Sequence, residues 1–370
     1  MKILHINSYF ATRPLHLKYV EALDRKLVEQ IIYIPIGKVE DYYKFGNKDS
    51  LKYGKIIYSK CFNSISRIFW PLKMILIWNN FNRLIHFKDI QLVHAHSLIV
   101  NGLIAFFVNK KRSIPYVVTV RNSDINFFIK RSFIFRKIAE KILLNAESII
   151  TLSPAYKDVQ IKTSVSSRVY NKIKDSITVI PNGIDDFWFN NNHIKNEKNN
   201  RTSIIFVGEI NKNKNLEGLI LACNLLWSTG KDFVLNVVGT GPLYKKLKKN
   251  NDKIKFWGQI NDKTKLKEIY RSSDILVVPS INESFGLVYP EAMSQGLPVI
   301  YSKGQGFDGF YNDGYVGYAV DPRNPLEISQ KILQIIKKFE CISRNASENA
   351  LDFSWNNQAL KTINLYKTII

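Results

Sequence analysis

Cysteine is scarce in this sequence of 370 residues, and long apolar runs are absent. The three cysteines, Cys61, Cys223 and Cys341, lie far apart and fit no metal-ligand spacing, which is typical of reduced thiols. The longest mostly apolar run, at 98–108, is much shorter than the roughly 20 residues that span a bilayer. The N-terminal sequence MKILHINSYF lacks an apolar h-region with a cleavage site. We therefore expect no signal peptide and a cytoplasmic protein.

Acidic residues are also few: 31 Asp and Glu stand against 53 Lys and Arg, which gives a net charge of +22. The excess is uneven, because residues 1–192 carry 29 basic and 14 acidic side chains, whereas residues 193–370 carry 24 and 17. A basic surface favours an anionic partner such as nucleic acid, a phosphorylated ligand or an acidic membrane face. The apolar fraction of 45 % excludes a fibrous or disordered chain.

The polar stretch NNNHIKNEKNN, at 190–200, separates two halves with similar patterns. In each half, apolar runs rich in β-branched residues alternate with segments of helical period, which is typical of parallel sheets built from βαβ units. We predict an α/β fold with two doubly wound domains facing a cleft. The predicted parts are an N-terminal domain at 1–189, a linker at 190–201, a C-terminal domain at 202–352 and a C-terminal helix at 353–370 that packs toward the N-terminal domain.

The most informative stretch is PSINESFGLVYPEAMSQGLPVI, at 279–300. A strand ends near Ser280 and a helix begins near Gly286, so the free N–H groups of that helix can hold phosphate oxygens. Gly286 lacks a Cβ, which lets a diphosphate approach the backbone closely. Glu291 can accept two hydrogen bonds from a vicinal diol such as a ribose, and Glu283 precedes the helix. The stretch therefore predicts a site for a diphosphate with a diol-bearing group.

This stretch resembles the retaining glycosyltransferases of family 4, which have the GT-B fold with two Rossmann-like domains. The signature of that family is two glutamates separated by seven residues, as at Glu283 and Glu291. Other segments resemble the family in the right order: VIPNGID at 179–185, VGEINKNKN at 207–215, VVGTGPL at 237–243 and FWGQI at 256–260. The resemblance thus covers most of the chain.

The resemblance implies that Glu283 contacts the donor sugar near the anomeric centre and that Glu291 binds the ribose. Lys214 would grip the diphosphate, and Arg121, which stands where the family often has His, could neutralise phosphate charge. These implications give Glu283, Lys214 and Arg121 as catalytic residues. The implied donor-binding residues are Gly208, Lys214, Gly258, Gln259, Glu283, Phe285, Gly286, Leu287 and Glu291.

Three features depart from the family or stay open. Glu209 replaces the usual Arg of the first donor loop, so it points elsewhere, binds a sugar hydroxyl or pairs with Lys212. Possible acceptor or sugar contacts are Ser8, Asn122 and Asp124. His94 and His96 alternate on one strand and could hold a metal, but no third ligand stands nearby in sequence, which favours a structural role.

Two segments, at 66–88 and 125–145, interleave aromatic and basic residues. In the second segment, phenylalanines alternate with five cations, which are Lys130, Arg131, Arg136, Lys137 and Lys141. Such a segment suits the interface of an anionic membrane. The alternative is a helix whose aromatic rings pack on its own core while its cations are solvated.

The resemblance implies a retaining glycosyltransferase that moves a hexose or N-acetylhexosamine from a nucleotide diphosphate sugar, most simply a UDP-sugar. The expected acceptor is a glycan or polyprenyl-linked oligosaccharide of a surface polysaccharide such as lipopolysaccharide or capsule, at the inner face of the cell membrane. The sequence has no Asp-x-Asp triplet, so we expect neither a metal nor a cofactor. The alternatives are an epimerase or phosphorylase of the same fold, or a non-catalytic nucleic-acid binder, for which no motif is present.

Overall fold

The computed structural model describes residues 1–47, 49–63, 66, 69–248 and 253–370, which divide into two compact units. The N-terminal unit comprises Met1–Leu152, Lys157–Asn182 and Trp355–Ile370, and the C-terminal unit comprises Ser153–Tyr156 and Gly183–Ser354. This division assigns 183–189 to the C-terminal unit, whereas the sequence pattern placed those residues in the N-terminal domain. Of the aromatic–basic segment at 66–88, Arg67 and Ile68 lie outside the described residues.

Short strands alternate with helices along both units. The N-terminal unit contains β1 (Lys2–Ile6), α1 (Leu15–Asp24), β2 (Glu29–Ile36), β3 (Gly54–Lys60), α2 (Trp70–Leu84), β4 (Leu92–Ala95), α3 (Val100–Arg112), β5 (Tyr116–Thr119), α4 (Phe133–Leu143), β6 (Ser148–Thr151), α5 (Lys162–Ser164), α6 (Ser167–Ile173) and β7 (Ile177–Val179). The C-terminal unit contains α7 (Asp186–Asn190), β8 (Thr202–Val207), α8 (Leu216–Ser228), β9 (Phe233–Val238), α9 (Tyr244–Lys248), β10 (Ile254–Gly258), α10 (Lys263–Arg271), β11 (Ile275–Val277), α11 (Val288–Met293), β12 (Val299–Ser302), β13 (Gly317–Val320), α12 (Pro325–Lys337) and α13 (Phe339–Asn349). The last helix is α14 (Trp355–Lys367).

Each unit is built on one parallel sheet. The described part of the N-terminal unit has seven strands in the order β3-β2-β1-β4-β5-β6-β7, and that of the C-terminal unit has six in the order β10-β9-β8-β11-β12-β13. Every residue of β4, β5, β8 and β12 is buried, because helices cover both faces of such sheets. The predicted α/β class with two doubly wound sheets is confirmed. The strand order reverses beside β1 and β8, and ligands of doubly wound sheets bind at the carboxyl ends of strands at such points.

The last helix of the chain belongs to the N-terminal unit, not to the unit that precedes it in sequence. One face of α14 is buried in a core cluster with the sheet and with α1. The members that α14 contributes are Trp355, Ala359, Ile363 and Tyr366, of which Tyr366 is fully buried. The apolar spacing of these residues follows the helical period, so burial of this face stabilises α14.

The polar stretch that the sequence suggested as a linker is fixed to the C-terminal unit. The Lys195 ammonium nitrogen lies 2.9 Å from the Asp274 carboxylate and donates to the Ser273 carbonyl oxygen at 2.6 Å. The backbone N–H of Asn199 donates to the same carboxylate at 2.9 Å, and the Ser343 hydroxyl donates to the Lys195 carbonyl at 2.7 Å. Asp274 is 0 % exposed and Lys195 8 % exposed. A buried ion pair with this many partners holds the stretch in one path.

Candidate active site

The loop between β11 and α11 carries Glu283. Its carboxylate oxygen Oε2 lies 2.5 Å from the Lys214 ammonium nitrogen, and the two side chains are 12 % and 23 % exposed. Lys214 belongs to the loop after β8, and β8 pairs with β11 in the sheet. Loops that follow neighbouring parallel strands meet at one edge of the sheet, which is the edge where ligands bind. The structure thus brings together the two catalytic residues that we expected in the C-terminal unit.

Asn213, which sequence reasoning missed, ties these two loops together. Its side-chain oxygen accepts from the backbone N–H of Asn282 at 3.0 Å, and its side-chain nitrogen donates to the Asn282 carbonyl at 2.9 Å. Its own carbonyl accepts from the Ile281 N–H at 2.7 Å. These bonds fix Lys214 against Glu283. The Asn-rich run at 211–215 was a signal, because Asn side chains readily bond loop backbone.

A third loop, after β12, holds Glu283 from another side. The Gln305 side-chain oxygen accepts from the Glu283 N–H at 3.1 Å, and the Gly306 N–H donates to the Glu283 carbonyl at 2.9 Å. A Cβ atom on Gly306 would lie 2.7 Å from the backbone nitrogen of Phe285, which is closer than such atoms approach. Gly306 is therefore needed for the loops to pack, and Gln305 positions the glutamate.

The backbone between Glu283 and α11 offers unpaired donors. Within the part of the chain that the structure describes, the N–H groups of Phe285, Gly286 and Leu287 donate to no protein acceptor. Gly286 has a φ of 84°, a conformation that favours glycine. The Phe285 ring is 1 % exposed and packs against other aromatic rings, so its backbone rather than its side chain is available. Consecutive free amides of this kind form a concavity that binds anions.

The expected glycine positions line the ends of β8, β9 and β10. The Gly208 N–H donates to the Val238 carbonyl at 3.0 Å, and the Gly239 N–H donates to the Gly258 carbonyl at 2.7 Å. A Cβ on Gly239 would collide with the Gly208 carbonyl oxygen. Gln259 follows in an exposed loop, where its side chain donates to Asn261 at 3.0 Å. Glycine is therefore required at Gly239 for the loops after β8 and β9 to pack this closely.

Glu291 is half-buried, and its carboxyl group is enclosed near Trp188 and Tyr270. Burial raises the pKa of this carboxyl to about 8, opposed by Lys263 and reinforced by Asp185. Interactions of the carboxyl with the Trp188 and Tyr270 side chains also lower its pKa, but burial outweighs them. An enclosed carboxyl of raised pKa suits a ligand that supplies hydroxyl donors. Glu291 is therefore not an exposed helical carboxylate.

Glu209 and Lys212 are both exposed, and they form no ion pair with each other. The pairing considered from the sequence is therefore absent, and the Glu209 side chain makes no hydrogen bond within the described ranges.

Arg121 of the N-terminal unit is anchored by its loop. Its Nε donates to the His96 carbonyl at 2.7 Å, and its backbone N–H donates to Asp124 at 2.9 Å. Burial lowers the pKa of Arg121, while the Asp124 charge raises it. Its terminal guanidinium nitrogens make no hydrogen bond to the described residues, so they are available to an anion.

The three residues that were candidates for acceptor or sugar contacts differ in accessibility. Asp124 is 1 % exposed, and its oxygens accept from the backbone of Leu98 at 3.0 Å, Ile99 at 3.2 Å and Arg121. A sugar contact is thus excluded for Asp124, which positions the Arg121 loop instead. The Asn122 side-chain oxygen accepts from Asn126. Ser8 is partly exposed, and only its backbone N–H is bonded in the described part of the unit.

Two family models match the chain: Glycosyltransferase Family 4 at residues 20–186 and Glycosyl transferases group 1 at residues 189–351. The chain belongs to the family 4, group 1 glycosyltransferases. It is 27 % identical over 294 residues to an uncharacterized glycosyltransferase of Methanocaldococcus jannaschii, covering 77 % of this chain and 78 % of that protein. The match favours a glycosyltransferase over a non-catalytic nucleic-acid binder.

Solved structures show the fold of this glycosyltransferase. The sucrose-phosphate synthase of Thermosynechococcus elongatus matches with a TM-score of 0.75 at 18 % identity, over 100 % of this chain and 99 % of that chain. The Anabaena protein HepE, in complex with UDP, matches with a TM-score of 0.72 at 17 % identity over 100 % of both chains. The predicted GT-B fold is confirmed.

Buried histidines form a cluster in the N-terminal unit of the glycosyltransferase. The pairing of β1 with β4 places His5 opposite His94, and ring nitrogens of His5, His94 and His96 lie within 4.8 Å of one another. Both His94 nitrogens are hydrogen-bonded, one to the Tyr366 hydroxyl at 2.6 Å and one to the Thr119 hydroxyl at 2.8 Å. His94 thus keeps no free lone pair for a cation, and the structural role expected from sequence fits better than a metal site.

Acid should destabilise this unit through the same histidines. Burial lowers the pKa of His5 to about 3, and the His94 and His96 rings are also lowered by burial. In the unfolded chain these histidines have a pKa near 6.5 and bind more protons than in the folded unit. The free energy of unfolding therefore falls as pH drops below about 6.5. By pH 5, His5 alone lowers the free energy of unfolding by about 2 kcal/mol. Urea unfolding at pH 7, 6 and 5 measures this, and His5→Gln should flatten the slope; an unchanged slope in that variant contradicts the assignment.

The two aromatic–basic segments meet in the N-terminal unit. The Trp70 ring, at the start of α2, lies edge-on to the Phe135 ring of α4 with centroids 4.9 Å apart. Phe133 and Ile134 are each 70 % exposed. Among the described residues no helix is long and apolar enough to cross a membrane. We name this exposed face, formed by 127–137 with the start of α2, the aromatic–basic surface.

The cations of the aromatic–basic surface differ in what they contact. The Arg131 guanidinium lies 5.3 Å from the Phe127 ring, and Lys130 donates to Asn126 at 2.9 Å. Arg136 and Lys137 lie 3.5 and 3.6 Å from the Glu140 carboxylate, which offsets part of the charge counted from sequence. Lys141 lies over the Phe106 ring. Two of the four cations of the surface are therefore paired with a neighbouring carboxylate, and the surface keeps its exposed rings.

Proposed function

We propose that this glycosyltransferase moves a hexose or N-acetylhexosamine from a UDP-sugar, with retention of configuration, to a polyprenyl-linked glycan of a surface polysaccharide. The observation that carries the donor assignment is the Lys214–Glu283 pair beside the free amides of 285–287, with Glu291 enclosed at the other end of the same loop and helix. The UDP bound by the Anabaena neighbour supports the choice of nucleotide.

The chemistry follows from where charge develops. As the bond from the anomeric carbon to the diphosphate breaks, negative charge grows on the leaving phosphate oxygen. Lys214 and the free amides are preorganised to stabilise this charge, and stabilisation of this kind is commonly the largest single contribution to catalysis. The acceptor hydroxyl attacks from the same face and passes its proton to the leaving phosphate, so the configuration is retained. Glu283 holds the sugar at the reacting centre.

A panel of nucleotide sugars tests the proposal. The matching donor should raise the melting temperature by mass action, and UDP alone should raise it less. The product formed with that donor should keep its α configuration by NMR, and transfer should continue in EDTA, because Lys214 and the amides supply the charge that a metal would otherwise supply. Stabilisation by a nucleotide sugar with a base other than uracil would overturn the choice of UDP, and an inverted product would overturn retention. A loss of activity in EDTA that Mn²⁺ restores would overturn metal independence.

Donor affinity should depend on pH through Glu291. The ionised carboxylate accepts two ribose hydroxyl bonds, whereas the protonated form competes less well, and the pKa in the free protein is raised by burial to about 8. Donor binding should therefore tighten about tenfold between pH 7 and pH 9. Titration calorimetry measures this, and Glu291→Gln should bind more weakly with a flat profile. A flat profile in the unmodified protein would remove Glu291 from the ribose site.

We also propose that the aromatic–basic surface binds the anionic inner face of the membrane. Each exposed cation near such a surface contributes about 1 kcal/mol, and exposed rings enter the interface. Replacing Lys130, Arg131, Arg136 and Lys137 by Gln should reduce sedimentation with anionic liposomes about tenfold or more. The matched control replaces four exposed lysines of the C-terminal unit, Lys245, Lys248, Lys265 and Lys337, and should sediment normally. Equal loss in both variants would mean that net charge alone, and not this surface, causes binding.

A further inference from the structure

An apolar groove of about 410 Å³ opens between α2 and α3 of the N-terminal unit. Met74, Ile75 and Trp78 line it from α2, and Leu103, Phe107 and Lys111 line it from α3. Ile75 is 55 % exposed and Phe107 40 % exposed. A groove of this volume falls in the range of small-molecule sites, about 300–1,000 Å³, and contiguous exposed apolar surface marks a binding site.

The groove lies in a part of the chain that is almost free of acidic residues. Between Asp49 and Asp124 the sequence contains one acidic residue, Asp89. The Lys111 ammonium nitrogen lies 5.2 Å from the Trp78 ring centroid, and that of Lys110 lies 5.6 Å from the Phe106 ring centroid. No carboxylate lines the groove. The groove therefore combines apolar walls with two nearby lysines, and no carboxylate in its lining offsets their positive charge.

We infer that this groove holds the hydrocarbon chain of the phosphate-bearing lipid to which the acceptor glycan is attached, with the phosphate near Lys111. This inference rests on the proposed function and names where the lipid part of that acceptor binds. A hydrocarbon chain needs no hydrogen-bond partners, which suits walls built from apolar side chains. The positive charge complements a phosphate and discriminates against a neutral headgroup. A peptide or a second copy of this chain would bring backbone N–H and C=O groups, and the lining offers them one polar side chain, Lys111.

Dodecyl phosphate, below the concentration at which it forms micelles, is the probe. Calorimetry should show one molecule bound per chain, with butyl phosphate and dodecyl maltoside each at least tenfold weaker. The double variant Ile75→Gln/Phe107→Gln replaces exposed side chains, so the fold should tolerate it, and dodecyl phosphate should bind at least tenfold more weakly. Its matched control is Leu221→Gln/Leu225→Gln on α8, where both leucines are also exposed, at 54 % and 40 %. This control should bind normally.

The charge of the groove has its own matched pair. Lys111→Gln should reduce the preference for dodecyl phosphate over dodecyl maltoside, whereas Lys255→Gln, which removes a lysine stacked on Trp257 in the C-terminal unit, should not. No binding by the unmodified protein, or equal binding by the groove variant, overturns the inference. A dimer in sedimentation that the groove variant disperses would assign the groove to a second copy instead. Stabilisation by a UDP-sugar is measured separately. Absence of dodecyl phosphate binding would therefore leave the donor proposal unaffected, and absence of donor binding would leave the groove result unaffected.

Discussion

Glu283→Gln should lower the turnover number roughly 10²–10³-fold while donor affinity changes little. The carboxylate is 12 % exposed, lies 2.5 Å from the Lys214 ammonium and is held through its backbone by Gln305 and Gly306. Glutamine keeps the size of the side chain and removes its charge at the reacting centre. The effect therefore falls on the transition state rather than on binding. Steady-state kinetics with the matching donor, together with calorimetric binding of that donor, separate the two.

Two variants serve as comparisons for this result. Glu291→Ala should act mainly on donor binding, which should weaken by about 1.5–3 kcal/mol at pH 9, where the carboxyl of the unmodified protein is ionised and accepts charged hydrogen bonds. Glu217→Gln, in the first turn of α8 where the exposed carboxylate pairs with Lys246 at 2.8 Å, should behave like the unmodified enzyme. If the variants at Glu283 and Glu291 both kept normal rates at subsaturating donor, the site would lie elsewhere.

Asp274→Ala should lower the free energy of unfolding by about 3–5 kcal/mol, because it leaves the Lys195 ammonium buried without its counter-charge. The carboxylate is 0 % exposed and also accepts the backbone N–H groups of Ser203 at 2.7 Å and Asn199 at 2.9 Å. The substitution thus unpairs the start of β8 as well as the stretch at 190–201. Urea unfolding followed by tryptophan fluorescence gives the change.

The double variant Lys195→Met/Asp274→Leu is the control for this prediction. It removes both charges and fills their space with apolar atoms, so it should be clearly less destabilised than Asp274→Ala. A loss below 1 kcal/mol in Asp274→Ala would mean that the pair does not hold the stretch to the C-terminal unit.

The sequence predicted the features of the C-terminal unit that depend on local pattern. Buried strands appear as apolar runs, and the loop around Gly286 follows from its glycine and from the helix that begins after it. The partners of Glu283 were not predictable. Asn213 and Gln305 act through side-chain bonds to backbone in loops distant along the chain, and no local pattern records which backbone group a side chain meets. The same holds for the stretch at 190–201, whose polarity suggested a free linker while its path is set by Asp274.

The N-terminal unit was less predictable for a related reason. The register that sets His5 beside His94 arises from strand pairing between segments far apart in sequence. Asp124 illustrates the reverse error, because its place after β5 suggested a ligand contact, whereas its oxygens accept the N–H groups of Leu98 and Ile99 in the loop between β4 and α3. A polar side chain after a strand can contact either a ligand or the backbone of a neighbouring loop. Only the structure shows which of the two its polar atoms pair with.

The position of α14 determines when each half of this protein can reach its final fold during synthesis. The C-terminal unit ends at Ser354, so it can fold as soon as that residue leaves the ribosome. The N-terminal unit, although made first, lacks one wall of its core until Trp355 and Tyr366 emerge. A chain whose synthesis ends at residue 354 would therefore have a folded C-terminal unit and an N-terminal unit that still exposes apolar surface to chaperones.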